Sequence, residues 1–449
     1  MRDMNAADND APLWRHGVFQ KLFWAHIISL IGSGLSSVAL ALLAHQLVGA
    51  SASAVLGITL AIRIVVIVFF SPWAGQIAER CGARALMIGS DLLRAGIVVG
   101  FFFAESVWQI YVLAFFLNLG AAIFTPVYKA VIPGVVSEKQ YPQALALGAI
   151  AYDTANILGP SLAGLFIATF GFRGNFLADG VTFLVSAALL FAVRRPEVDG
   201  ARANKKPTAL GHGLAAMFQR APLRETLFLA LQVSVMGAFV LVATVDFVKG
   251  QLGLPDSAYA WAMAAYGIGS VCGAALYARV SPSVRDLFVV ACAPAMLLAL
   301  ALAGGLQQYV PLLIGWAFAG AAQSILGIRA NELLAANSVG DERAHIYAAH
   351  FSLSHAGWGL TYPLAGLLTT GVGFAFTAGI FAGLLILVTA PVWFKRARLA
   401  SVHAQTPDRE HAHAHSTLEP PGDYHTHEHQ HGDLVHSHPH RHDVPHTHD

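Results

Sequence analysis

The chain alternates long apolar runs with short polar breaks twelve times over: 22–46, 54–77, 85–104, 107–128, 144–170, 175–193, 225–248, 257–279, 286–305, 309–330, 345–370 and 374–394. Each run is close to the ~20 residues that an α-helix needs to cross the hydrocarbon core. They are too long and too uniformly apolar for barrel strands, and coil cannot face lipid. The predicted fold is therefore an all-α membrane protein of twelve transmembrane helices. Marks recur in the same order in its two parts: Gly120-Ala121-Ala122, Lys129-Ala130 and Leu162-Ala163-Gly164, then Gly320-Ala321-Ala322, Arg329-Ala330 and Leu364-Ala365-Gly366. Such a duplication predicts two pseudo-symmetric six-helix halves, with the substrate site between them near the bilayer midplane.

The composition agrees, with 56% of 449 residues hydrophobic and 12% charged. The net charge of +1 is uninformative, but its distribution is not. One set of breaks holds only Arg173 and Lys249. The other holds Arg80, Arg84, Lys129, Lys139, Arg279, Arg285, Arg343 and seven Lys or Arg between Arg194 and Arg224. The positive-inside rule then puts both termini in the cytosol; the expected location is a bacterial inner membrane. Pro196, Gly200, Pro207 and Gly211 mark Arg194 to Arg224 as a linker. The expected divisions are an N-terminus 1–21, a first half 22–193, a linker 194–224, a second half 225–394 and a tail 395–449. Cys81, Cys272 and Cys292 have no disulfide or metal spacing. There is no catalytic triad and no Gly-x-x-x-x-Gly-Lys-Ser/Thr loop, so neither an enzyme nor ATP coupling is expected. Nothing predicts nucleic-acid binding, and a monomer is expected.

Between the second and third runs the chain reads Gly75-Gln76-Ile77-Ala78-Glu79-Arg80-Cys81-Gly82-Ala83-Arg84, with Asp91 and Arg94 inside the third. Glycines permit a tight turn and close helix approach, and the charges can pair across helix ends. This loop resembles the Gly-x-x-x-Asp/Glu-Arg-x-Gly signature of the major facilitator superfamily, at its expected place in a twelve-span chain. The resemblance implies a cytoplasmic latch carried by Gly75, Glu79, Arg80, Gly82 and Arg84, with Asp91 as partner. In the fifth run, Gly159-Pro160 with Ala163-Gly164 resembles the superfamily's antiporter motif, Gly-Pro-x-x-Gly-Gly, with alanine at Ala146, Ala155 and Ala163 where the pattern has glycine. That resemblance implies export. A proline kink beside a small-residue helix interface would use the same residues.

An ionisable side chain inside the bilayer costs at least ~2.5–3.5 kcal/mol, so each is a functional candidate. They are His26, Arg63, Asp91, Arg94, Asp153, Asp179, Arg329, His350 and His355. Asp91 and Arg94, three apart, predict an intrahelical or latch pair. Asp179 and His26 sit near span ends, where water or snorkelling would satisfy them, although His26 also stands as a cavity candidate. Asp153 is mid-span, with Asn156 and Pro160 within about 60° of it round the helix. Counted back from the two Leu-Ala-Gly marks, Asp153 corresponds to His355. The duplication thus sets a carboxylate and an imidazole at equivalent places facing the expected cavity. Both groups ligate divalent metals and both carry protons; a buried pair satisfied by hydroxyl neighbours is the plainer reading. His350 lies about 140° round the helix from His355, so the two cannot point squarely at one site.

After Lys395 the character changes. Fourteen of the 21 histidines lie between His403 and His448, most as His-x-His: His411, His413, His415; His425, His427, His429, His431; His436, His438, His440, His442; His446, His448. Five prolines and eight carboxylates accompany them, so no packed core is expected and the metal-free tail is expected to be disordered. Flexible His-x-His tracts can give several nitrogens to one nickel, zinc, copper or cobalt ion. A facilitator-type core with such a tail resembles the bacterial nickel-resistance exporters, whose cores are similar to the siderophore-exporter branch. The resemblance implies a proton-coupled exporter of nickel, with cobalt as a further cargo and no tightly bound cofactor. Asp153 would bind the ion or the proton, and His355 would be a second ligand. The alternatives are a siderophore or drug exporter whose tail only buffers metal, and a membrane-anchored metal store.

Overall fold

Helices that are apolar on every side have no wet face to turn outward, and in lipid every backbone N–H and C=O must be satisfied within the helix. The computed structural model follows that rule. It describes residues 13, 16–137, 140–193, 210–338, 342–405, 424–431 and 434–441. Side chains are described for these except at 133, 210–212, 282–283, 343–344, most of 141–168 and everything from 391 onward. The first half holds α1 (Gly17–Val48), α2 (Ala52–Phe70), the short α3 (Ala74–Cys81), α4 (Ala83–Phe102), α5 (Val107–Val135) and α6 (Tyr141–Phe191). Gly171, at φ 67°, breaks α6 into two limbs, so the first half crosses six times. After α7 (Leu210–Gln219) the second half holds α8 (Ala221–Val245), α9 (Asp256–Arg279), α10 (Pro282–Leu306), α11 (Tyr309–Ala336), α12 (Arg343–Val372) and α13 (Phe374–Gln405). Eight described stretches are long and apolar enough to cross a membrane, the first of them, Gly17–Cys81, holding α1 to α3 together.

Local signals set the starts and stops. A capping box opens α5, where Gln109 Oε1 accepts from the Ser106 N–H at 2.9 Å. Gly82 and Gly373 take positive φ, 81° and 87°, at the turns into α4 and α13. In the first half α1 and α4 pack on α6; in the second α9 and α10 pack on α11, and α8 on α12. The halves meet through α2 against α12 and α6 against α9. We call the end of the bundle near α7 the linker end and the opposite one the far end.

Two expectations change here. The linker 194–224 contains a helix, Leu210–Gln219, which buries Met217 with Leu223, Leu334, Ile346 and Ala349. Alanine, leucine and methionine favour a helix despite Gly211 and Gly213.

Residues Thr389–Asp449 form a separate unit. Its first part continues α13 to Gln405, past the expected boundary at 395, through helix-forming Lys, Arg, Ala and Leu. Further on, β1 (Tyr424–His431) and β2 (Leu434–Arg441) pair antiparallel, where no regular structure was expected. Alternation of histidine with other residues is itself a period of two, and Gly432-Asp433 is a composition suited to a two-residue hairpin loop. His403 lies in the α13 backbone, while His411, His413, His415, His442, His446 and His448 fall outside the described residues.

Candidate functional site

At the far end the halves are sealed by a contact between α2 and the end of α8. Ser51, before α2, gives its helix no side-chain cap, and a helix start needs acceptors for its free N–H groups. Asp246 supplies them from the other half. Its Oδ2 accepts from the Ser53 N–H at 3.0 Å, while Ser53 Oγ donates to the Val242 carbonyl at 2.9 Å. The carboxylate sits at the positive end of the α2 dipole, which favours it. Beside it α2 and α12 touch backbone to backbone. A Cβ on Gly366 would collide with the Ser53 carbonyl, and one on Gly57 would come within 3.3 Å of Gly366 Cα. This seam persists to mid-span, where Gly359 faces Ile64.

Towards the linker end the halves separate. Although α5 and α11 lie across the midline, α5 has no extended packing against α11 or α12. Arg63 on α2 and Lys129 on α5 are exposed there, and both act electrostatically on His355 of α12. Among the described residues neither cation has an acidic partner. His355 Nδ1 lies 2.8 Å from the Phe351 carbonyl, and its ring is tilted 31° to that of Phe351 with the centroids 3.8 Å apart. Among the described side chains this wall carries two fixed positive charges, both from the first half.

Among the described side chains no group of three His, Cys, Asp or Glu could hold an ion, and Asp153, the expected partner of His355, lies outside them. His350 turns towards α8, near the Thr226 carbonyl, away from His355. His26 is a correction: it is 7% exposed, with its ring 4.3 Å from Tyr128 and 5.8 Å from Phe124. It packs inside the first half and does not line the opening. The side chains of Asp153, Asn156, Pro160 and Gly164 lie outside those described. Arg329 has its carboxylates nearby, Asp286 at 3.1 Å and Glu332 at 3.5 Å.

The family profile described as Major Facilitator Superfamily matches this chain twice, over residues 22–242 and 227–421. The chain belongs to the Major Facilitator Superfamily. Its two matches coincide with the two six-helix halves, and such a protein is a transporter and not an enzyme. Relatives include the uncharacterized MFS-type transporter YfiS of Bacillus subtilis, 26% identical over 60% of this chain and 66% of that one. Macrolide efflux protein A of Streptococcus pyogenes is 22% identical over 52% and 60%. A staphyloferrin A transporter of Staphylococcus aureus is 26% identical over 30% and 35%. The chain thus spans less than two thirds of the length of each. A solved bacterial homologue of the lysosomal transporter Spinster, inward-facing and unoccupied, shares the fold at a TM-score of 0.61 and 14% identity, covering 84% of this chain and 94% of that one.

Within this superfamily frame the signature loop reads differently from the expectation. Gly75, Glu79, Arg80 and Gly82 are exposed at the linker end, and among the described residues the side chains of Glu79 and Arg80 have no partner. Arg84 is used inside the first half, donating to the Leu190 and Phe191 carbonyls and covering the Phe191 ring at 5.1 Å. Asp91 is not the latch partner. It is fully buried on α4, paired with Arg94 and accepting from Ser186 Oγ at 2.6 Å. Asp179 is likewise fully buried and not near water, because its limb of α6 starts at the far-end break and carries it to mid-bundle. In the antiporter-like stretch Gly159 and Ala163 are buried, and a Cβ on Gly159 would come within 2.6 Å of Gly34 Cα. Close packing of α6 on α1 accounts for that glycine.

Proposed function

We propose that this protein is a proton-driven exporter of an anionic organic compound from the bacterial cytoplasm, with both termini cytosolic and a tail that buffers divalent metal. One observation carries the substrate class: Arg63 and Lys129, exposed and unpaired among the described residues, lie near enough to His355 to act on it electrostatically. Two fixed cations raise the local concentration of anions and repel a bare divalent ion. The relatives named for macrolide efflux and staphyloferrin A transport lean towards organic cargo as well. A sealed far end and an open linker end suit alternating access without nucleotide.

The test is flux in everted vesicles under an imposed pH gradient, with carboxyfluorescein and nickel as separate probes. Accumulation of the dye and not of the metal is the expected result, and the reverse would sink the reading. Replacing both Arg63 and Lys129 by Gln should lower dye uptake tenfold or more, equivalent to at least ~1.4 kcal/mol of lost attraction.

Nickel export is a second reading, favoured by the fourteen tail histidines. The hairpin register sets His425 opposite His440, His427 opposite His438 and His429 opposite His436. Deleting 406–449 should abolish high-affinity nickel or zinc binding by the purified protein and leave dye export unchanged. Binding by the intact tail should fade below about pH 6.5 as imidazoles protonate. Isothermal titration of both forms checks each point, and loss of export with the tail would favour the nickel reading.

A further inference from the structure

The first half contains a buried charge cluster for which neither reading above has a use. Asp91 and Arg94 on α4 and Asp179 on the second limb of α6 are 0, 6 and 0% exposed. Arg94 pairs with Asp91 Oδ1, and Ser186 Oγ donates to Asp91 Oδ2. The guanidinium lies 4.7 Å from the Phe124 ring centroid and 4.4 Å from that of Phe183, which holds it in place. Among the described residues Asp179 has no such ion pair. Its Oδ2 is 2.5 Å from Ser36 Oγ and its Oδ1 3.2 Å from Thr182 Oγ1, both neutral hydroxyls that can donate or accept.

Counting charge settles what the cluster needs. The charged groups facing Asp179 are Arg94 and Asp91, both from α4; α1 offers Ser36, and α6 itself offers Thr182. His26 of α1 lies on the other side of Arg94, where Lys129 of α5 also acts on it. Two carboxylates thus share one guanidinium in a site closed to water. Ionising both leaves one negative charge uncompensated in a low-dielectric interior, which costs several kcal/mol. One proton removes the excess. Asp91, already paired with the cation, keeps its charge, and Asp179, among hydroxyls, is where the proton belongs.

Asp179 also touches α1, the helix of its own half that reaches the second half at the far end. Gly32 and Ser36 of α1 sit directly against it, and a Cβ on Gly32 would collide with Asp179 Oδ1 and Thr182 Oγ1. At its far end the same helix brings His45 beside Gly250 of the second half. A displacement of α1 against α6 would break the Ser36 contact and change the surroundings of the acid.

We propose that Asp179 carries the coupling proton: its carboxylic acid persists while α1 is seated, and when α1 shifts it releases H⁺ to entering water, leaving a carboxylate. This rests on the reading that the transporter is proton-driven. Infrared spectroscopy of the full chain in nanodiscs at pH 7 tests it without knowledge of the substrate. The expected wild-type spectrum contains the C=O stretch of a buried carboxylic acid, which disappears in Asp179→Asn. That variant mimics the neutral acid and should unfold at the wild-type temperature, whereas Asp91→Asn, which strands Arg94, should unfold several degrees lower. A wild-type spectrum without the band, or a band that survives Asp179→Asn, overturns the proposal. In proteoliposomes, Asp179→Asn should exchange carboxyfluorescein across the membrane at the wild-type rate and lose pH-gradient-driven accumulation at least tenfold. A band lost in Asp179→Asn together with intact gradient-driven accumulation would overturn the coupling role. Wild-type flux indifferent to the gradient, with the band present, would overturn proton drive itself and leave the protonated acid as a structural feature.

Discussion

Replacing Arg94 by Met is expected to lower stability by about 3–5 kcal/mol, the loss typical of a buried charge stripped of its partner. The change leaves Asp91 ionised at 0% exposure with only Ser186 as a hydrogen-bond donor. Adding Asp91→Asn in the same chain should return most of the loss, because both charges then disappear together. Arg94→Lys should fall between, since an ammonium keeps the charge but lacks the planar face that Phe124 and Phe183 hold. Thermal unfolding in detergent, followed by size-exclusion chromatography, measures all three. A double variant no more stable than Arg94→Met would show that packing, and not charge balance, dominates the site.

The second large effect belongs to Asp246. Hydrogen bonds to a charged group contribute about 1.5–3 kcal/mol, and here one crosses between the halves at 3.0 Å. Asp246→Ala should therefore shift the balance towards an open far end tenfold or more, with Asp246→Asn showing a smaller shift because its amide oxygen still accepts. Spin labels at the exposed far-end positions Glu105 and Gln307 report it. A distance distribution identical to that of the wild type would mean that the α2–α12 backbone seam closes this end unaided.

Lipid makes the helices easy to read, since it demands long apolar runs and leaves the chain few alternatives. The duplicated marks also located the two halves, because a repeat is visible without knowing any contact. Pairings between distant segments were hidden. Ser53 and Asp246 are 193 residues apart, and nothing local to Asp246, at the end of its apolar run, points to that partner. Asp179 was misplaced for a related reason: Gly171 starts a new helix there, and distance from a polar break was taken as depth. His26 illustrates a further limit, because periodicity gives the face of a helix but not whether that face meets a cavity or a neighbour such as Tyr128. In the tail, composition was read where alternation held the information, so the strand period of His425 to His431 went unused.

The short helix α7 has its own consequence. Gly213 lies against the His345 backbone of α12, and Arg220 forms a two-pronged ion pair with Glu342 at 2.6 and 2.8 Å. The helix therefore belongs with the second half, and in the sequence residues 194–209 join it to the first. Sixteen residues can reach roughly 50 Å when drawn out, far more slack than any rocking of helices in a bilayer demands. Cutting that strap, or making the pieces as separate polypeptides divided within it, should yield a working pump assembled from two chains.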